Sequence, residues 1–405
     1  MQKPDTTKIV IVGGGYAGLQ AVQELAKYPN NEILLIDKNP YHFMQTDVYD
    51  LIANEDDFAQ VCVDLFTYCT GFDQNVTFLK QEVKKIDFEN KKVIGQEKRI
   101  GYDYLIVAVG ARTRFFSNIS GLTEYAHGIK ALHRAMFFKQ KFEMSLFQKV
   151  NQEGVSCTPL NIVIAGAGLS GVEIAAQMAS FAKEFYKENY FLCRKLNIVL
   201  INAAEDILKG LDQKLVDYSR KHLEELGVAI KNKTKVESLT ATTVSLSNGE
   251  VLEMDFMIFT GGIEPNGLVF DLKLSKNEAG YIKINEYLQS RDYEDVFAVG
   301  DCTSVSDITE KRLPPTADIA EQMGVLAAKN IMKKINNEAM QQHSIKQRGI
   351  LIALGRKYAC GKVFGIYFKG YIAFIVKKII EKVYLYALNK RSKKGCQKIF
   401  SMPQD

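Results

Sequence analysis

The plainest chemistry in this 405-residue chain lies in two glycine clusters of one form, Gly13-Gly14-Gly15-Tyr16-Ala17-Gly18 and Gly166-Ala167-Gly168-Leu169-Ser170-Gly171. Each follows an apolar, strand-like run (Ile9–Val12 and Asn161–Ala165) and opens a helix-like stretch. In that context the first glycine permits a tight turn, the second lets a pyrophosphate approach the backbone, and the third brings helix against strand. The phosphates then rest on free N–H groups at a helix N-terminus, where the dipole favours anions. One such motif is weak; two in context point to two dinucleotides in one chain and to electron transfer between them.

An acid, Asp37, follows the next strand of the first unit, Ile33–Ile36, where it can accept a hydrogen bond from a ribose 2′-OH. In the second unit the equivalent strand, Asn197–Ile201, ends at Asn202. An amide still hydrogen-bonds a hydroxyl but loses the charge-assisted part, and it no longer repels a 2′-phosphate. Discrimination against NADPH should therefore weaken, although no Arg follows within three residues to hold that phosphate.

These residues need a scaffold, and the rest of the chain supplies its pattern. Helices are expected at Leu19–Lys27, Gly171–Lys187 and Leu215–Leu226, with strands at Tyr104–Val109, Val244–Leu246 and Phe256–Phe259. Asp295–Asp301 reads as a further strand ending at an acid, and Pro314-Pro315-Thr316 as the start of a helix to about Asn330. The alternation is βαβ-like, without low-complexity linkers or a solenoid period. Length suits two or three domains, and 47% hydrophobic with 24% charged residues is an ordinary globular composition. Seven scattered cysteines form no C-x-x-C pair, as expected of reduced thiols in the cytoplasm. Met1–Lys8 is short and polar, the pattern of a chain that is not exported.

Charge is uneven. Lys346–Asp405 holds fourteen Lys or Arg against Glu381 and Asp405, a net +12, which leaves −7 on Met1–Ile345 out of the total +5. Within this basic tail, Tyr371–Leu388 has helical amphipathicity. Lys377, Lys378, Glu381 and Lys382 share one arc, and Ile372, Ile375, Val376, Ile379, Ile380, Val383, Tyr386 and Ala387 lie opposite. The uncharged stretch is too short to span a bilayer, which takes ~20 residues. A basic amphipathic helix with aromatics reads as one lying on an anionic membrane surface, helped by Lys369, Lys390, Arg391, Lys393 and Lys394. The other reading is a homodimer contact. Charges sharing a helix with a continuous apolar face do not suit nucleic acid. On this reading the tail is an anchor whose removal from Gly370 onward leaves flavin bound.

Gly13, Gly15, Gly18 and Asp37, the segment Tyr102–Gly110 and Val299-Gly300-Asp301 together resemble the two-dinucleotide-binding flavoprotein superfamily. Tyr41-His42-Phe43-Met44-Gln45 with Tyr49, Leu313–Ala317 and Ala353-Leu-Gly-Arg356 narrow the resemblance to the type II NADH:quinone oxidoreductases. It implies an α/β protein with two Rossmann-like domains, one binding FAD (1–116 and 284–345) and one binding NADH (117–283), and a membrane-associated region at 346–405. It places Tyr16, Ala17, Lys38, Gln45, Val83, Ala108, Gly110, Asp301, Pro315, Thr316 and Ala317, with Ser170 and Gly262, among the cofactor contacts.

The implied chemistry is hydride transfer from nicotinamide to flavin, then two electrons to a membrane quinone at the cytoplasmic face, without proton pumping. The flavin carries the difficult chemistry and the protein orients it. A helix from near Thr316 would aim its positive end at the flavin, with Pro315 in its first turn. Glu173 would assist between nicotinamide and flavin, and Gln322 matches the second glutamine of the family's quinone motif. Asp318 stands where that motif has its first glutamine, so it bears on acceptor choice. Two alternatives remain. A sulfide:quinone oxidoreductase needs cysteines at the flavin, with Cys157, Cys302 and Cys360 to consider. A flavin-binding redox sensor would bind without rapid turnover.

Overall fold

The computed structural model describes residues 6–73, 76–150, 159–188, 196–307 and 312–401. Two five-stranded parallel sheets carry the two glycine clusters. In the first, Thr7–Val12 is central, flanked by Asn31–Asp37 then Val76–Lys80 on one side and Tyr104–Val107 then Val296–Ala298 on the other. In the second, Leu160–Ala165 is central, with Leu196–Ile201 and Val228–Lys231 on one side and Phe256–Phe259 and Ala126–His127 on the other. Parallel sheets covered on both faces read as unbroken apolar runs. Accordingly Ile9 and Ile11 join one buried cluster while Val10 and Val12 join another across the sheet.

The chain passes between the sheets through an antiparallel pair, Ala111–Thr113 with Ile263–Pro265. The expected helices appear with shifted ends, at Tyr16–Leu25, Leu169–Glu188, Gln213–Glu225 and Ala317–Ile335. Pro315 differs from expectation. The N-cap is Thr316, whose Oγ1 accepts from Ile319 N at 3.4 Å, so Pro315 lies outside the helix rather than in its first turn.

After Ile335 the chain builds a three-stranded antiparallel sheet (Gly349–Ala353, Ala359–Val363, Ile366–Gly370) and then the C-terminal helix Tyr371–Ser401. Among the described residues, no helix is long and apolar enough to cross a membrane. The C-terminal helix runs against the short helix Leu65–Thr70, and glycines set their spacing. A Cβ on Gly395 would lie 1.8 Å from Thr67 O, and one on Gly71 would lie 2.1 Å from Arg391 O. Leu388 is buried in the core of the first sheet beside Leu65, Tyr68 and Phe72.

The sequence left open which arc of this helix meets the protein, and the fold decides it. The charged arc faces the protein: Lys377 is only 8% exposed, and Lys378 and Glu381 are largely covered. Lys382 remains exposed. Ile372, Ile379, Ile380, Val383 and Tyr386 are all more than half exposed. Several flanking cations are also engaged inward. Arg391 stacks on Phe72 at 4.4 Å, Lys369 lies over Tyr218, and Lys394 and Lys398 pair with Asp73. The tail is thus part of the core and supplies charges the core needs. Ending the chain at Gly370 is expected to lower stability by ~3–5 kcal/mol, the cost of breaking buried ion pairs. Urea melts of the full and shortened chains check this, and equal midpoints would contradict it.

Candidate active site

Both glycine clusters build the same cradle. Gly13 and Gly166 adopt φ of +113° and +109°, and a Cβ there would collide with Ala108 O and with the Thr260–Gly261 backbone. Gly18 and Gly171 are as crowded, with Gly13 O at 1.9 Å and Gly166 O at 1.7 Å from an added Cβ. Between them Gly15 and Gly168 have nothing within 4 Å. Tight first and third glycines with an open second one leave room over a helix N-terminus, where a pyrophosphate is held. Tyr16 and Leu169 begin the two helices. Ala17 is buried, and its carbonyl faces Gly324 of the helix Ala317–Ile335 across a contact that admits no Cβ.

The strand ends also correspond. Asp37 Oδ2 accepts from Gly14 N at 2.7 Å and Oδ1 from Asn39 N at 2.7 Å, which leaves lone pairs for ribose hydroxyls. Burial raises its pKa against the pull of those N–H groups. In the second unit Asn202 Oδ1 accepts from Ala204 N at 3.2 Å, while its Nδ2 donates to Asn232 Oδ1 at 2.8 Å. The sequence reading did not find Asn232; it lies one residue past a strand, with no motif to mark it.

Lys38 and Gln45 are exposed, Gln45 in the turn Gln45–Asp47, and Val83 and Ala108 are buried. Gly110 has φ +65° and open space, and Gly262 is nearly as open. Asp301 sits in the turn after Val296–Ala298, where Lys130 Nζ holds its Oδ2 at 2.9 Å. Ser170 bonds the hydroxyl of buried Tyr49. Asp318 and Gln322 both hold the strand that follows. Asp318 Oδ2 accepts from Arg348 N at 3.2 Å, and Gln322 Nε2 donates to Lys346 O at 2.9 Å. Cys157 lies outside the described residues. Cys302 and Cys360 are fully buried, which pushes their thiols up to about 12 and about 11. Such thiols are poor nucleophiles.

Glu173 is where the elements converge. It lies near the start of Leu169–Glu188, and its Oε1 accepts from Ala353 N at 3.0 Å. Burial raises its pKa to about 7, against the pull of Lys377. For Lys377 itself burial opposes charge, but Glu381, Glu173, Asp50 and Asp47 prevail and keep it protonated. Lys377 pairs with Glu381, and Lys378 reaches Asp50 at 2.6 Å and Asp56 at 3.2 Å. Asp50 also accepts from Gln177. Burial, with Glu381 beside it, raises Asp47 to about 8. A carboxyl that titrates near neutrality beside a fixed cation can hold a proton and hand it over. The sequence reading named Glu173 but not Lys377, Asp47 or Asp50 as its neighbours, because a helical wheel does not say which face of the C-terminal helix meets the protein.

Two mononucleotide-type sheets, two phosphate cradles and this shared acid–base cluster define a dinucleotide-dependent oxidoreductase. The chain belongs to the pyridine nucleotide-disulphide oxidoreductase family, which it matches over residues 7–324. A type II NADH:quinone oxidoreductase of Staphylococcus aureus is 28% identical over 390 residues, covering 93% of this chain and 94% of that one. The fold is also that of NDH2 from Plasmodium falciparum in complex with NADH (TM-score 0.84, 18% identity, 98% of each chain). It is close as well to the sulfide:quinone oxidoreductase of Aquifex aeolicus (TM-score 0.80, 20% identity, 95% and 92%).

The titration of Glu173 has a measurable consequence. An exposed glutamate in the unfolded chain releases its proton near 4.5, whereas Glu173 in the fold holds it to about 7. Folding therefore takes up a proton between these values, and the stability this group contributes falls as pH rises through that window. Glu173→Gln is expected to flatten the decline by about one proton's worth of slope in melts from pH 5 to 8. An unchanged slope would place the titration elsewhere.

Proposed function

We propose that this chain is an FAD-dependent NADH:quinone oxidoreductase that does not pump protons, with FAD on the first unit (1–116 and 284–345) and NADH on the second (117–283). The pair of equivalent cradles in one chain carries this reading: two open second glycines above two helix N-termini accept two dinucleotides. FAD held there would supply the two-electron chemistry that links NADH to the quinone. Asp37 holds the FAD ribose, and Asp301 with Lys130 bounds the ribityl side. Asn202, without a carboxylate, holds the NADH ribose through an amide, so NADPH is rejected weakly. Glu173 keeps a proton in reserve beside Lys377 for quinone reduction, and Asp318 and Gln322 shape the acceptor side.

The exposed stripe Ile372–Tyr386 and the cations beside it support docking on an anionic membrane surface, and the reading is completed by a peripheral enzyme that meets the quinone from the cytoplasmic side.

Anaerobic NADH is expected to bleach the flavin band near roughly 450 nm, and a soluble quinone to restore it. Bleaching by sulfide and not by NADH would overturn the assignment. Replacing Ile379 and Ile380 together by Glu is expected to lower partitioning onto anionic vesicles by roughly two orders of magnitude while flavin stays bound. Undiminished partitioning, or a stripe covered in a homodimer that ignores vesicles, would refute the docking surface.

A further inference from the structure

In each glycine cluster the carbonyl of the second residue is occupied, but by different means. Ala167 O accepts the backbone N–H of Leu208 at 2.7 Å. Gly14 O instead meets a side chain, His42 Nδ1, at 2.9 Å. A carbonyl can only accept, so Nδ1 carries the proton and Nε2 is left as an acceptor. Tyr384 of the C-terminal helix supplies the donor, its hydroxyl 3.2 Å from Nε2. His42 is 1% exposed, and burial lowers its pKa to about 4, so the ring stays neutral. Tyr16, the first residue of the helix after the loop, packs on both rings, 5.0 Å from His42 and 5.5 Å from Tyr384.

The preceding peptide, Gly13–Gly14, is fixed as well, where Gly14 N–H donates to Asp37 at 2.7 Å. Gly14 also lies against the Leu65 side chain, 2.7 Å from an added Cβ, in the helix on which the C-terminal helix packs. A trans peptide is planar, with C=O and N–H on opposite sides. Drawing Gly14 C=O onto His42 therefore turns Gly15 N–H away from the ring, at the one glycine of this cluster left open. In this class of fold the donors at that turn hold pyrophosphate.

We propose that Tyr384 is a positioning residue for FAD: through His42 it sets the Gly14–Gly15 peptide, so seating of the C-terminal helix and retention of FAD form one linked equilibrium. This rests on the assignment of FAD to the first unit. Linkage is reciprocal, so FAD must tighten the C-terminal helix by the factor by which the docked helix tightens FAD.

Tyr384→Phe keeps the ring and removes the hydroxyl. It is expected to release FAD roughly fivefold faster, read as recovery of flavin fluorescence. The slowing of amide exchange over 371–401 on adding FAD should shrink by the same factor. In a His42→Asn background the amide replaces Nδ1 toward Gly14 but offers nothing to Tyr384. There Tyr384→Phe should change nothing further. Release at the wild-type rate, or effects of the two substitutions that simply add, would overturn the relay while leaving the FAD assignment standing. If the wild-type chain fails to quench added FAD, the assignment itself falls and takes the relay with it.

Discussion

An ionised carboxylate taken out of water costs several kcal/mol unless a counter-charge and hydrogen bonds go with it. Asp47, Asp50 and Glu173 are each less than a tenth exposed, and the cations that face them, Lys377 and Lys378, come from a helix at the far end of the chain. This constraint decides the rest of the C-terminal architecture. The helix must lay its charged arc inward, so its isoleucines have nowhere to go but out. An outward apolar stripe is then a by-product of neutralising the interior.

The two dinucleotide units show how one solution is reused with local change. Sheet order, glycine geometry and the turn made by the residue at the strand end are shared. In both units an Asx side chain accepts from the backbone two residues on, Asp37 from Asn39 and Asn202 from Ala204. The charge on that side chain is what differs, and charge is what separates one nucleotide from its phosphorylated form. On the proposed placement of NADH, selectivity would shift at the second unit without disturbing its fold.

Much of this was legible in the sequence, because glycine positions and acid-terminated strands are local demands of the backbone. Gly13, Gly15 and Gly18 behave as their spacing requires, as do Gly166, Gly168 and Gly171. Glu173 was legible through its place after the second cluster. What escaped was long-range. A helical wheel sorts Lys377 from Ile379 but does not say which face meets protein, and here the buried acids that decide it lie more than 300 residues earlier, at Asp50 and Asp47. His42 stood inside a recognised segment, yet its partners Gly14 and Tyr384 come from opposite ends of the chain. Pro315 misled because a proline suits either side of a helix start.

The crossing at Gly71 and Gly395 bears on how the C-terminal helix can come away. Each glycine presses on a carbonyl of the opposite helix, Arg391 O and Thr67 O, where a hydrogen fits and a methyl does not. Sliding the C-terminal helix by one turn, about 5.4 Å, would bring a residue bulkier than Gly395 onto Thr67 O. The helix therefore has a single register and no stepwise path along its groove. It should detach as one cooperative block, exposing its lysines, its tyrosine and its leucine together, and in this protein any opening at the tail is felt at once in the first sheet's core.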